Sequence, residues 1–335
     1  MNNGFDSFQY NGAYYEPAYN MKKSLEKKSL RRLGVYTAIA ILLSIFLQNV
    51  IVVVLELSGL YDRYFSDAYF SSAVDIIIVV FGMLVPFALM GGRMKKASGL
   101  QQPLMVEIPR SFMLMIPAVF AGLGFCMLGN IINSNITAFF SNMDIEFTSP
   151  EITMADGVSG IILTFFRVAI TAGVVEELCF RGYVMGNLRF YGDGFAIAVS
   201  SVMFAMLHGN MVQAPFALMA GFALGYLSVK TGTIWTGIII HVLNNSISLV
   251  IYYLGKSLSE EELISVYALL LYGLILFGVV SFACFSFGTR RYPLLKGESI
   301  LSSGEKIRAY FINMPMLIVI AYMLYITAEY VKKGS

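Results

Sequence analysis

From Val35 to Leu55 the chain runs through twenty-one residues without a charged side chain. In hydrocarbon a backbone satisfies its own N–H and C=O groups only as a helix or a closed barrel. A helix needs about 20 apolar residues to cross that layer. Further apolar segments follow, giving nine candidate spans: 34–57, 71–90, 112–134, 158–178, 194–208, 214–229, 233–254, 263–287 and 311–330. The fifth and sixth are short, and the ninth contains Pro315 and borders a charged stretch. Hydrophobic residues make up 57% of the chain and charged residues 13%, which excludes an ordinary soluble domain. The expected fold is an all-α polytopic membrane protein of about eight or nine transmembrane helices, enclosing a buried polar cavity.

Charge placement gives the expected orientation. Residues 21–32 carry six Lys/Arg, the 91–110 loop carries Arg93, Lys95, Lys96 and Arg110, and the 288–310 loop carries five. The alternate loops are poor in them: Arg63 stands alone in 58–70, none occurs in 135–157, and Lys256 faces Glu260, Glu261 and Glu262. The positive-inside rule then places the N-terminus in the cytoplasm. Residues 1–33 read as a flexible basic cytoplasmic tail without an apolar core, so the first span is expected to serve as the insertion signal. Beyond it the chain divides into membrane helices at 34–157, a polar-bearing core at 158–250 and membrane helices at 251–335. A net charge of +2 gives no sign of a nucleic-acid partner; the lipid bilayer is the partner this composition demands. Cys126, Cys179 and Cys284 lie in apolar segments without metal-ligand spacing.

Within these spans stand side chains that hydrocarbon does not tolerate cheaply. A carboxylate at bilayer depth costs several kcal/mol by estimates of roughly 2.5 kcal/mol and upward, so an intramembrane ionisable residue is a functional-site hypothesis by default. Glu176 and Glu177 are adjacent, and Glu177 shares a helix face with Arg181 four residues on. That pairing leaves Glu176, about 100° away, free for another task. The bland alternative is an interfacial salt-bridge cluster. His208 precedes Gly209-Asn210, a helix-breaking pair, and His241 projects from the same face as Asn245; these are the chain's only two histidines. Each taken alone also suits interhelical hydrogen bonding. Ala220, Gly221 and Gly225 form a small-residue face for close helix packing. Arg167 calls for a carboxylate or a backbone carbonyl.

Together, Glu, Glu, Arg, His, His and Asn on three helices can activate water, with a carboxylate as base, imidazoles to orient, and an amide at an oxyanion. Glu176, His208 and His241 are also usual zinc ligands, although the HExxH spacing is absent. Both readings stay open on the residues alone.

The order EELCFRG, FAMLHGN and HVLNN resembles the CAAX-processing and bacteriocin-processing (CPBP, or Abi) family of intramembrane endopeptidases, whose patterns are EExxxR, FxxxH and HxxxN. Glu176, Glu177 and Arg181 match the first, Phe204 and His208 the second, His241 and Asn245 the third, over about residues 158–250. The resemblance implies peptide-bond hydrolysis by a glutamate-activated water. Glu176 would be the base, His208 would position the water, and His241 with Asn245 would form the oxyanion site. Glu177 and Arg181 would organise the first motif. It implies no cofactor, with zinc on Glu176, His208 and His241 as the less favoured alternative, and a membrane-associated protein or peptide precursor as substrate. Short loops resemble the bacterial members, implying a bacterial cytoplasmic membrane. A catalytically idle scaffold or immunity protein of the same family is the alternative, and a transporter or proton relay a third class. The depths of Glu176 and His241, counted from the expected cytoplasmic ends of their spans, place the site within reach of the cytoplasm. For His208 to join them, part of 182–198 has to lie at the interface.

Overall fold

The computed structural model describes residues 15–101, 103–150 and 154–333. It is an all-α multi-pass membrane protein, with one short two-stranded ribbon. Eleven helices occur among the described residues: α1 (Tyr15–Leu57), α2 (Tyr61–Ser66), α3 (Ala68–Ser98), α4 (Phe112–Ser141), α5 (Gly157–Tyr191), α6 (Asp193–Leu207), α7 (Ala214–Thr231), α8 (Trp235–Leu254), α9 (Glu260–Gly288), α10 (Ser303–Phe311) and α11 (Met314–Glu329). Strands β1 (Ile145–Phe147) and β2 (Val331–Lys333) pair antiparallel.

Every expected apolar segment is helical, but fewer of them qualify as independent spans. Six helices (α1, α3, α4, α5, α8 and α9) are long and apolar enough to cross a membrane, or seven if the bent pair α10–α11 counts as one. The expected eight or nine is therefore too high. The shortfall lies in α6 and α7. With 15 residues, α6 reaches only about 22 Å at 1.5 Å per residue. These two helices form a hairpin packed within the bundle, most of their side chains wholly or partly buried. They meet through small residues: a Cβ on Gly221 would stand 2.9 Å from the Ser201 Cβ, and one on Gly225 would stand 3.2 Å from Ile197. The ninth segment does not break at Pro315. Asn313 caps α11 by accepting from the Met316 N–H at 3.1 Å, and Pro315 sits in the first turn, where its missing N–H costs nothing.

One further expectation changes. Residues 15–33 are not a flexible tail but the first turns of α1, anchored by Leu30 and Leu33, which are buried; residues 1–14 lie outside the described residues. Residues 182–198 are helical except at Gly192, and Tyr191 stands beside Glu26 at the basic end of the bundle. The α5 helix continues to Tyr191, and α6 starts after a single turn at Gly192, whose φ of +113° and closeness to the Lys296 carbonyl exclude a side chain.

Cross-links identify one end of the bundle as basic. Lys23 and Lys27 reach Glu305, the Tyr191 hydroxyl donates to the Glu26 carbonyl, and Arg110 donates to the carbonyls of Val229 and Lys230. At the opposite end Tyr69 donates to the Asp156 carbonyl and Tyr253 to that of Ala155. One core cluster joins α1, α3, α5, α6 and α11; a second joins α4, α7, α8 and α9. At the α4–α9 crossing the backbones nearly touch, since a Cβ on Gly124 would lie 2.8 Å from the Gly278 Cα. Without a hydrophobic drive between helices in lipid, such close approach supplies the dispersion contact.

Candidate active site

The site stands where α5, α6 and α8 converge against α4 and α7. On α5, Glu177 and Arg181 are fully buried, and Arg181 Nη1 donates to Glu177 Oε1 at 2.8 Å. The guanidinium also donates through Nη2 to the Gly221 carbonyl on α7 and lies 4.5 Å from the Phe204 ring centre. A buried charge survives only when paired and hydrogen-bonded, and this arginine is both.

Glu177 Oε1 also meets His241 Nδ1 at 3.1 Å. A carboxylate accepting there fixes the proton on Nδ1 and turns Nε2 toward the cavity. His241 Nε2 stands 3.8 Å from Glu176 Oε2, too far for a direct hydrogen bond and suited to a shared water. His208 closes α6, where its Nδ1 donates to the Phe204 carbonyl at 2.9 Å, again leaving Nε2 as acceptor. Phe204 lies between the two imidazoles, with ring centres 4.9 Å from His208 and 5.9 Å from His241.

The α5 helix widens to π geometry over Phe166–Thr171 and again over Leu178–Met185. Such widening shifts carbonyls out of the α ladder, and the Val168 carbonyl accepts from Asn245 Nδ2 at 3.0 Å. Asn245 Oδ1 accepts in turn from Asn244 Nδ2 at 3.3 Å. One amide proton of Asn245 is thus committed to the scaffold, and the other remains for a ligand.

Glu176, His208, His241 and Asn245 all line one cavity of about 330 Å³, within the range typical of ligand sites. Glu177 and Arg181 stand behind its wall. Sequence reasoning therefore named the residues that converge, and it missed their company. Asn130 and Asn133 on α4 line the same cavity, as do Gln213 and Ser248. The i,i+3 asparagines within the apolar run of α4 were the available signal. Asn133 donates to the Val212 carbonyl and ties α4 to the α6–α7 turn. Arg167 finds Asp75 on α3 at 2.6 Å, and Asp75 also accepts from the Tyr64 hydroxyl.

Ser248 lies thirteen residues beyond Trp235 on α8, about 20 Å along the helix. Asn133 lies twenty-one residues into α4, about 32 Å from its start. The cavity lining therefore extends away from the basic end.

As a zinc site the arrangement does not fit. Among the described residues no group of three His, Cys, Asp or Glu side chains is gathered to hold a metal, and Glu176, His208 and His241 do not form one.

Residues 158–247 match the family described as Rce1-like, type II CAAX prenyl endopeptidase Rce1-like. Over 95 residues the chain is 27% identical to the Bacillus subtilis (strain 168) protein named "Putative membrane peptidase YdiL", covering 27% of this chain and 38% of that relative. The chain thus matches little more than a third of the relative's length. No solved structure matches.

Proposed function

We propose, for a chain that belongs to the CPBP (CAAX-protease) family through residues 158–247, that it is an intramembrane endopeptidase using Glu176 to activate water. The observation that carries this reading is the division between two adjacent carboxylates. Glu177 is fully buried and committed to Arg181 and His241, while Glu176 lines the cavity with 22% of its side chain exposed. Environments that separate neighbouring carboxylates into structural and reactive roles are how acid–base sites are built.

In this mechanism a water enters between Glu176 Oε2 and His241 Nε2. Glu176 accepts one of its protons as the oxygen attacks the scissile carbonyl, His241 Nε2 accepts its other hydrogen bond, and His208 lines the same cavity. The uncommitted amide N–H of Asn245 donates to the developing oxyanion. The C–N bond then breaks and Glu176 returns its proton to the leaving amine. General base catalysis of this kind contributes about 10²–10⁴-fold, and a single oxyanion donor about 10²–10³-fold. No step requires a metal. The substrate class is a membrane-associated protein or a peptide precursor, because only a segment able to enter the bilayer reaches this depth.

Membrane-fraction peptides from cells carrying wild type or Glu176→Gln test the reading. Intact precursors should accumulate, and their fragments vanish, in the variant. Identical peptide profiles, with the variant present at normal abundance, would refute it.

A further inference from the structure

We infer that the groove between α1 and α10 is a binding site for the phosphate-bearing headgroup of an anionic lipid. A cavity of about 640 Å³ is lined there by Lys27, Lys28 and Arg31 of α1 and by Glu305, Arg308 and Ile312 at α10. Positions 305, 308 and 312 fall on one helical face, as do 27, 28 and 31, so the two faces confront each other. The one carboxylate is already engaged, because Glu305 Oε1 holds Lys23 at 3.0 Å and Lys27 at 2.8 Å while its Oε2 caps α10 through Ser302. Among the described residues no ion pair holds Lys28, Arg31 or Arg308. Three cations, two of them guanidiniums suited to bidentate phosphate contact, thus converge from segments nearly 280 residues apart without a counter-charge.

Geometry sets this groove at headgroup level. The helix from Pro17 to Leu57 covers 41 residues, about 62 Å at 1.5 Å per residue, against a hydrocarbon layer of about 30 Å. Its charged turns must therefore project beyond that layer, with Arg31 and Arg32 at the boundary. The α10 helix turns 81° away from α11 and so lies across the bundle end rather than along it. Beneath it Tyr310 is fully buried and donates to Thr37 at 3.0 Å, which fixes α10 on α1. Beside the cations Ile312 is 59% and Met314 71% exposed, an apolar surface on which an acyl chain can continue downward. Basic pockets between membrane helices suit anionic headgroups in this way. A bound phosphate would bridge α1 to α10.

The test compares thermal unfolding in nanodiscs of phosphatidylcholine alone and of phosphatidylcholine with phosphatidylglycerol. Wild type should gain several degrees with phosphatidylglycerol and retain that lipid through detergent exchange by native mass spectrometry. The Lys28→Gln/Arg31→Gln/Arg308→Gln variant should lose both. The charge-preserving Lys28→Arg/Arg31→Lys/Arg308→Lys variant should keep part of the gain, and an unfolding midpoint of the neutralised variant equal to wild type in phosphatidylcholine alone excludes a folding defect. Neutralising Lys95 and Lys96, exposed at the same end, should leave it intact. An equal loss there would reduce the effect to bulk surface charge and overturn the site. A gain from inorganic phosphate in phosphatidylcholine discs equal to that from phosphatidylglycerol would overturn the lipid as its source.

Discussion

Glu177 holds Arg181 and His241 with the same oxygen, Oε1, at 2.8 Å and 3.1 Å. The ion pair is fully buried, so each charge depends on the other. Removing one partner of such a pair costs about 3–5 kcal/mol because the survivor is left uncompensated. Arg181→Ala should therefore lower stability by that amount in chemical or thermal unfolding in detergent, and Glu177→Ala likewise. Arg181→Lys restores charge but not the fork that also reaches the Gly221 carbonyl, and should recover only part of the loss. Wild-type unfolding by Arg181→Ala would show the pair to be incidental.

Gly237 sets how closely α8 approaches α5. A Cβ there would stand 2.7 Å from Glu177 Oε2 and 2.9 Å from Ser228 Oγ. Both atoms are buried without a hydrogen-bond partner of their own among the described residues, but the Glu177 carboxylate is fixed through Oε1 by Arg181 and His241 and cannot swing aside. Gly237→Ala should push α8 outward, costing about 1–3 kcal/mol of overpacking and shifting His241 off Glu177. Activity should fall together with stability. A variant as stable and active as wild type would mean that this approach is slack.

Asp75 and Arg167 tie α3 to α5 at 2.6 Å, away from the carboxylates. Asp75→Ala leaves a buried guanidinium and should cost about 3–5 kcal/mol, whereas the Asp75→Ala/Arg167→Met double variant should recover most of it. Additive losses in that cycle would contradict the pairing.

Ser248 and Asn133 line the cavity at the end away from the basic segments. In a background with Cys126, Cys179 and Cys284 replaced, cysteines at these positions should react with impermeant thiol reagents from the face opposite the N-terminus. Labelling only from the N-terminal face would return access to the cytoplasmic route that the sequence suggested.

The sequence disclosed the site's composition more readily than its depth. Glu176, Glu177, Arg181, His208, His241 and Asn245 were legible because hydrocarbon makes each polar interruption conspicuous, and helical periodicity paired Glu177 with Arg181 and His241 with Asn245. Arg167 was conspicuous too, but its partner Asp75 sits in another apolar run, and no local pattern links α3 to α5. The role of the Val168 carbonyl was hidden in a π-helical widening that residue types do not signal. Span counting failed at α6 and α7 for a physical reason: a helix shielded by protein needs neither the length nor the apolar surface of one that faces lipid. Residues 15–33 looked like a tail because their charges mask Leu30 and Leu33, whose burial depends on α10, some 280 residues away.

The most direct measurement of the central claim is single-turnover cleavage of a membrane peptide substrate in ¹⁸O-water by the purified protein, comparing wild type with Glu176→Gln. Glutamine keeps the shape and removes the base, and the side chain, 22% exposed and 3.8 Å from His241 Nε2, anchors no buried ion pair. Wild type should place one ¹⁸O in the new carboxylate at a rate unaffected by chelators. Glu176→Gln should be slower by about 10²–10⁴-fold, with an unfolding midpoint unchanged. Cleavage by Glu176→Gln at the wild-type rate, or activity abolished by chelation and restored by zinc, would contradict the account.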